Sequence, residues 1–386
     1  MKAFFEEYGL AMLEAICILL LVCMLSPIGS GISGSIHKVV RDTGSGDDSI
    51  VMKQKDKTDE KIAELMGGTT EADDGTRFYS DFDAVLPDIN ALSTENADST
   101  EDDAMFSLKI EDDTAYLTML KNQESGYTTR TINSNIVIEG NNHEILDNLR
   151  INSENCVIQN LKGKDNAIEI YESSKKVLLD NIDYTNTKVN AYHIVFFKGA
   201  EIEMKNCKLL SNRTSSAAPV TCFCSEIDKE QTINIHDCTI EHKGGVPGYA
   251  GTTIKINTNN YSNPKLKGIF IKNNKISADY GINDNTLWTY YPSGSISLTG
   301  TKDSTIEIEN NEIYALKGAM GGVTFRENGA VNNQTFNVSN ISVSYNRFYA
   351  TNYYINQAFY FIGSSGSPQG GSPSAIGTGN TMQNVS

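Results

Sequence analysis

The chain has 386 residues, 39% hydrophobic and 21% charged, with 8 prolines and 31 glycines, which describes an ordinary soluble body with room for flanking segments. Its formal net charge is −16, and residues 42–126 carry −15 of that, with 7 basic and 22 acidic groups. The remainder is close to neutral, which argues against nucleic acid as a partner, because phosphate binding needs clustered Lys and Arg.

Residues 1–41 read as a membrane anchor and its flank. The stretch 9–25 is apolar apart from Glu14, and counting on to Ile32 gives a comfortable single span. Lys2 is outweighed by Glu6 and Glu7 and no small-residue cleavage site follows, so an uncleaved signal anchor is expected rather than a secretory leader. The large domain is then expected outside the cell membrane, an orientation taken from its fold type and not from flanking charge. Gly9, followed by an apolar run with Glu14, also resembles the type IV prepilin signature, in which cleavage follows a glycine and a glutamate sits five residues on. That resemblance implies a pilin-like surface-assembly subunit whose buried glutamate meets a neighbour's new amino terminus.

Residues 42–103 are rich in Asp, Glu, Ser, Thr and Gly and are expected to be a largely disordered, extended acidic stalk. Ile62 and Leu65 share one face of a short helix over 53–66, and Phe78, Phe82, Val85, Leu86, Ile89 and Leu92 form a second apolar cluster. The runs Asp73-Asp74, Asp102-Asp103 and Asp112-Asp113 are candidate Ca2+ ligands, but they lack the alternating oxygen ligands of an EF-hand loop and read as solvated charge. No cofactor is otherwise expected. From 104 to 130 apolar residues return, and this segment is expected to cap the domain that follows.

Between 131 and 362 one unit recurs: two apolar residues in alternation, a polar residue, then a bend. The bends fall at Gly140, Asn160, Asn181, Asn206, Asp237, Asn273, Asn310 and Tyr345. Asn tolerates the left-handed conformation better than other non-glycine residues. Stacked coils would place Asn160, Asn181, Asn206, Asn273 and Asn310 over one another as an amide ladder. A second strand series keeps step at 167–170, 193–196, 220–224, 253–256, 295–298, 323–325 and 358–361. The expected fold is all-β: a right-handed, single-stranded parallel β-helix of about eight coils. The segments Asn135 to Ile145, Ile271 to Ser277 and Ile308 to Tyr314 resemble the pectate-lyase-like right-handed β-helix superfamily. That superfamily holds lyases, polygalacturonases, tailspikes and non-catalytic adhesins. Its polygalacturonase motifs are absent from this chain, and no aspartate cluster matches its Ca2+-dependent lyases, so no catalytic residue carries over.

If Ile168, Ile194, Cys222, Ile254, Ile296, Val323 and Phe359 point inward, Glu169, Val195, Phe223, Lys255, Ser297, Thr324 and Tyr360 form an outward column. Tyr171, Phe197, Asn257, Thr299 and Arg326 flank it, with His193 on the other side. Aromatic planes stack on sugar rings and cations meet uronate carboxylates, so a polysaccharide is the expected partner class. Trp288, Tyr290 and Tyr291, in the inserted loop 279–292, are a binding platform or a lid over this face. Lys255 and Arg326 are the candidates for catalysis if the chain is instead a polysaccharide lyase or hydrolase. The seven cysteines are irregularly spaced and read as small hydrophobes, and the five histidines lack metal-ligand spacing. Residues 363–386 read as a Gly/Ser-rich flexible tail.

Overall fold

In a computed structural model, residues 75–384 are described, apart from 94–96, 98, 172–173, 188–192, 200, 213–217, 224–230, 244–251, 258–265, 280–294, 301–303, 317–321, 327–339, 351–358, 363–367 and 372–376. The expectations for the anchor, the prepilin-like cleavage and the helix over 53–66 fall outside these residues. Among the described residues, no helix is long and apolar enough to cross a membrane.

The chain is all-β with three long parallel sheets, a topology compatible with a β-helix. Sheet 1 has 11 strands, from Arg77–Tyr79 at one edge to Ile341–Ser344 at the other. Sheet 2 has nine, from Glu144–Ile145 to Thr381–Asn384, and sheet 3 has ten, from Thr129–Ile132 to Pro368–Gly371. From Asn135 to Ile362 the chain visits sheets 1, 2 and 3 in turn, and each strand pairs in parallel with the strand one visit earlier. The alternating pattern fixes this register, because a one-residue slip would turn every apolar side chain out of the core. In sheet 1, Ile136, Cys156, Val177, Ile202, Ile233, Ile269, Ile306 and Ile341 stack in one inward column. In sheet 2, Gly163 opposes Tyr184, and a Cβ on Gly163 would meet the Tyr184 ring at 2.4 Å, so the glycine makes room for a fully buried aromatic.

The bends lie where the left-handed conformation is found. Asn160, Asn181, Asn206, Asp237, Asn273, Asn310 and Tyr345 have φ between 53° and 59°. The first bend is corrected: Asn141 and Asn142, not Gly140, carry the positive φ, at 49° and 61°. The expected amide ladder is also displaced. Asn181 Nδ2 donates to Asn160 Oδ1 at 2.7 Å, but Asn206 Nδ2 donates instead to Asp180 Oδ1 at 2.8 Å, and Asn273 and Asn310 are exposed. The continuous ladder runs one residue later, through buried Asn274, Asn311 and Asn346 to Asn380. A left-handed residue turns its own side chain toward solvent and the next one into the core.

Both ends depart from expectation. Within the segment expected to be a stalk, Arg77–Tyr79 is a strand and Phe82–Ala91 a helix. Asp81 caps the helix by accepting from Ala84 N at 2.9 Å, and Phe82, Val85 and Ile89 enter the core over the first coil. Covering that open end outweighs the polar composition around it. The expected cap is an antiparallel hairpin, Phe106–Glu111 with Thr114–Met119, whose second strand pairs in parallel with Asn135–Glu139. The tail contributes Pro368–Gly371 to sheet 3 and Thr381–Asn384 to sheet 2, after a further left-handed bend at Gly379 (φ 68°).

Candidate functional site

The outward face of sheet 3 carries several of the residues expected to form a site, with a corrected register. Ile194 and Val195 both donate through their backbone N–H to Pro219 O at 2.9 Å, so one extra residue is taken up at the strand entry. Val195 then pairs with Ile168 and is buried, and Phe197 is also buried. The outward residue is Phe196, opposite Glu169. One strand on, Cys222 pairs with Ile256 rather than Ile254, which moves Phe223 into the flanking column beside Asn257. The outward column therefore runs Arg150, Glu169, Phe196, Thr221, Lys255, Ser297, Thr324 and Tyr360.

Along this column and the one flanking it, cations and rings lie near one another in two groups. Arg150 pairs with Glu169 at 3.0 Å, and its guanidinium lies 5.0 Å from the Tyr171 ring centre. Lys198 Nζ approaches the same ring at 4.3 Å. His193 stacks on Phe196 with centroids 5.1 Å apart, while its Nδ1 lies 3.2 Å from Ala218 O. Phe196 and Phe223 are 5.8 Å apart and tilted, and Lys255 Nζ lies 5.6 Å from the Phe223 ring centre. The rings are half-buried and each cation remains partly accessible, an arrangement suited to a sugar chain with carboxylate substituents. The run spans five strands, about 19 Å at the usual strand spacing. Thr221 within the column, and Ser297 and Thr324 beyond Lys255, are buried.

Of the predicted site residues, the structure brings together Glu169, His193, Phe223 and Lys255. Arg326 and Tyr360 lie on strands of the same sheet, in register with Thr299 and Thr324, but their side chains fall outside the described residues. Trp288, Tyr290 and Tyr291 are also outside them. Sequence reasoning missed Arg150, Phe196 and Lys198. For Arg150 the signal was present, because Asn148, Leu149, Arg150 and Ile151 alternate like the later strands. For Phe196 it was hidden by two successive buried residues before it.

Two further charged clusters lie elsewhere. On sheet 1, His236 Nδ1 is 2.7 Å from Asp237 Oδ2 and its Nε2 is 3.3 Å from Glu203 Oε1. Burial works against the imidazolium, but those hydrogen bonds and carboxylate charges outweigh it and hold the pKa above the ordinary histidine value. At the start of sheet 3, fully buried Asp147 accepts from Arg130 Nε at 2.7 Å, Gln123 Nε2 at 2.8 Å and Thr128 N at 2.9 Å. Burial alone would raise its carboxyl, and these donors hold it below the ordinary carboxylate range. Arg130 also reaches Asp83 on the helix, which ties the end cover to the first coil. Of the candidate Ca2+ runs, Asp112-Asp113 forms the hairpin turn, with Asp112 at φ 53°. Among the described residues, no group of three or more His, Cys, Asp or Glu is placed to hold a metal ion. No family model matches the chain, and no curated protein or solved structure matches it.

Proposed function

We propose that this chain is a right-handed parallel β-helix of the pectate-lyase-like kind, held at a membrane by its N-terminal helix, and that it displays a polysaccharide-contacting surface outside the cell. The observation that carries this reading is the run of rings and cations on sheet 3, in which Arg150, Tyr171, Lys198, Phe196, Phe223 and Lys255 lie on five neighbouring strands. Half-buried rings edged by cations suit sugar planes bearing carboxylates. Binding through the face of a rigid stack requires no closure, so the role is adhesion or display.

The test uses the full chain in detergent with a panel of acidic and neutral polysaccharides, reading co-sedimentation, new reducing ends and ultraviolet absorbance of unsaturated products. Binding without new ends is expected, and Phe196→Ala or Phe223→Ala should weaken it about tenfold, the equivalent of one lost ring contact. Product formation abolished by Lys255→Ala would replace this reading with a lyase or hydrolase. Absence of binding across the panel would overturn the carbohydrate assignment.

A further inference from the structure

Two thiols meet at the bend between sheets 1 and 2. Cys207 and Cys238 each follow a left-handed residue, Asn206 (φ 54°) and Asp237 (φ 55°), and each enters the core at 2% exposure. Lys205 is in register with His236 before the bend and Lys208 with Thr239 after it, so the two cysteines occupy the same step of consecutive coils. Cys207 N donates to Cys238 Sγ at 3.4 Å, and the same sulfur lies 3.7 Å from Met204 O, so it is turned onto the backbone of its neighbour's coil. The other described cysteines are stacked differently. Cys156 stands between Ile136 and Val177, and Cys222 between Phe197 and Ile256.

The spacing suits a covalent bond. Residues in register on neighbouring strands are about 4.8 Å apart, and a disulfide accepts Cα separations of about 4.4–6.8 Å. The coil between these two thiols is also longer than the two before it, with bends at Asn160, Asn181, Asn206 and Asp237. The entropy that a cross-link removes from an unfolded chain grows with loop length, so a bond here acts where closure costs more.

We propose that Cys207 and Cys238 form a disulfide that clamps two consecutive coils, and that it closes during folding, before later coils bury the pair. The reaction is exchange with a disulfide oxidant. One cysteine thiolate attacks the oxidant's S–S bond, expels one oxidant thiol and leaves a mixed disulfide. The second cysteine thiolate attacks the protein sulfur of that bond and expels the other oxidant thiol. Two electrons and the two thiol protons pass to the oxidant. Burial pushes the folded Cys207 thiol well above its ordinary pKa, and the adjacent Cys238 sulfur adds to this. The closed stack is therefore slow to react, and the bond is slow to be reduced once made. Under reduction the pair reverts to two thiols, the state in which substitutions at Cys238 report on the bend alone. The clamp rests on the proposed location outside the cell only for its supply of oxidant.

The test supplies the oxidant itself. The full chain in detergent is reduced, unfolded, and refolded with reduced and oxidised glutathione. Remaining thiols are alkylated and peptide mass spectrometry locates every cysteine. One peptide pair linked through Cys207 and Cys238 is expected in most molecules, with Cys156 and Cys222 alkylated. Reduction should then lower the urea midpoint, and Cys207→Ser should abolish both the link and that shift. Should refolding fail, the native chain opened in subdenaturing urea with the same glutathione pair gives the same readout. Alkylated Cys207 and Cys238 in the folded chain, or either one linked to a different cysteine, would overturn the proposal. A linked pair with an unchanged midpoint would overturn the clamp.

Discussion

The two halves of the stack solve the same problem at the bend between sheets 1 and 2 in different ways. From the Asn160 bend onward the residue after the left-handed bend enters the core, beside backbone groups that the bend leaves without strand partners. In the early coils that position holds Leu161 and Ile182, which are buried and apolar. In the later coils it holds Asn274, Asn311, Asn346 and Asn380. Asn311 Nδ2 donates to Ile271 O at 2.8 Å and to Asn346 Oδ1 at 2.9 Å, and Asn311 Oδ1 accepts from Asn274 N at 2.8 Å. Between the halves stand Cys207 and Cys238, where Cys207 N donates to Cys238 Sγ at 3.4 Å and Cys238 N donates to Asn274 Oδ1 at 2.9 Å. The lesson is that a buried column can be apolar or amide throughout, and that a cysteine, weakly polar at its sulfur, can join one to the other.

The largest effect is expected where the early half carries its buried charge. Asp147→Ala strands Arg130 and removes the acceptor for Gln123 and Thr128, and it should destabilise by about 3–5 kcal/mol in urea unfolding. Because the Asp147 carboxyl is held below its ordinary range, its contribution is present above the unfolded carboxylate pKa and fades as pH falls through the folded value. The gap between wild type and variant should therefore narrow in acid. A gap that stays constant at all pH values would mean that packing, not charge, holds this end together.

Next come the bend substitutions, which test the comparison itself. Asn311→Ala leaves Ile271 O and Asn274 N buried without their side-chain partner and should lose about 2–4 kcal/mol. Ile182→Asn places an amide between Leu161 and Cys207 with no ladder to join, and a loss of about 2 kcal/mol is expected. Cys238→Asn extends the existing ladder by one rung, toward Met204 O, and should change stability by less than about 1 kcal/mol. If Cys238→Asn is as damaging as Ile182→Asn, the ladder is not a transferable device and the two halves differ for some other reason.

Much of this fold was legible in the sequence because its period is its mechanism. The alternation at Ile269 and Ile271 or Ile306 and Ile308 marks inward faces, and the residue that follows marks the bend. What was not legible turns on single-residue offsets. Asn273 and Asn274 are chemically identical, so sequence alone did not say which one faces the core, and only the left-handed φ of the first decides it. Val195 and Phe196 exchange roles because Ile194 and Val195 share one acceptor. The helix Phe82–Ala91 was hidden by the acidic composition around it, although Phe82, Val85 and Ile89 keep helical spacing. At the candidate site Glu169 and Lys255 lie in the predicted column, whereas Phe223 is displaced by two residues into the flanking one.

A smaller, pH-dependent effect should separate sheet 1 from the bend column. His236 is held above its ordinary pKa by Glu203 and Asp237 against the opposing effect of burial, so its stabilisation is fully present below the unfolded histidine pKa and is lost as pH rises through the folded value. His236→Gln should therefore lower stability near pH 5 and have little effect near pH 9. The reverse order in thermal melts would mean that the neutral ring is the form the fold prefers.

The smallest stability effect is expected at the outward face of sheet 3. Arg150 and Glu169 are each about a third exposed in their side chains, at 37% and 30%, and such a pair contributes less than about 1 kcal/mol. Arg150→Ala should thus leave urea unfolding almost unchanged. It also frees one face of Tyr171, with Lys198 still over that ring, and it removes a cation from the run that ends at Lys255. If acidic polysaccharide is the partner, binding should weaken and its salt dependence should flatten while the fold is unaffected. Equal loss of binding to neutral and acidic glycans would instead assign the recognition to the rings alone, with Phe196 and Phe223 as its centre.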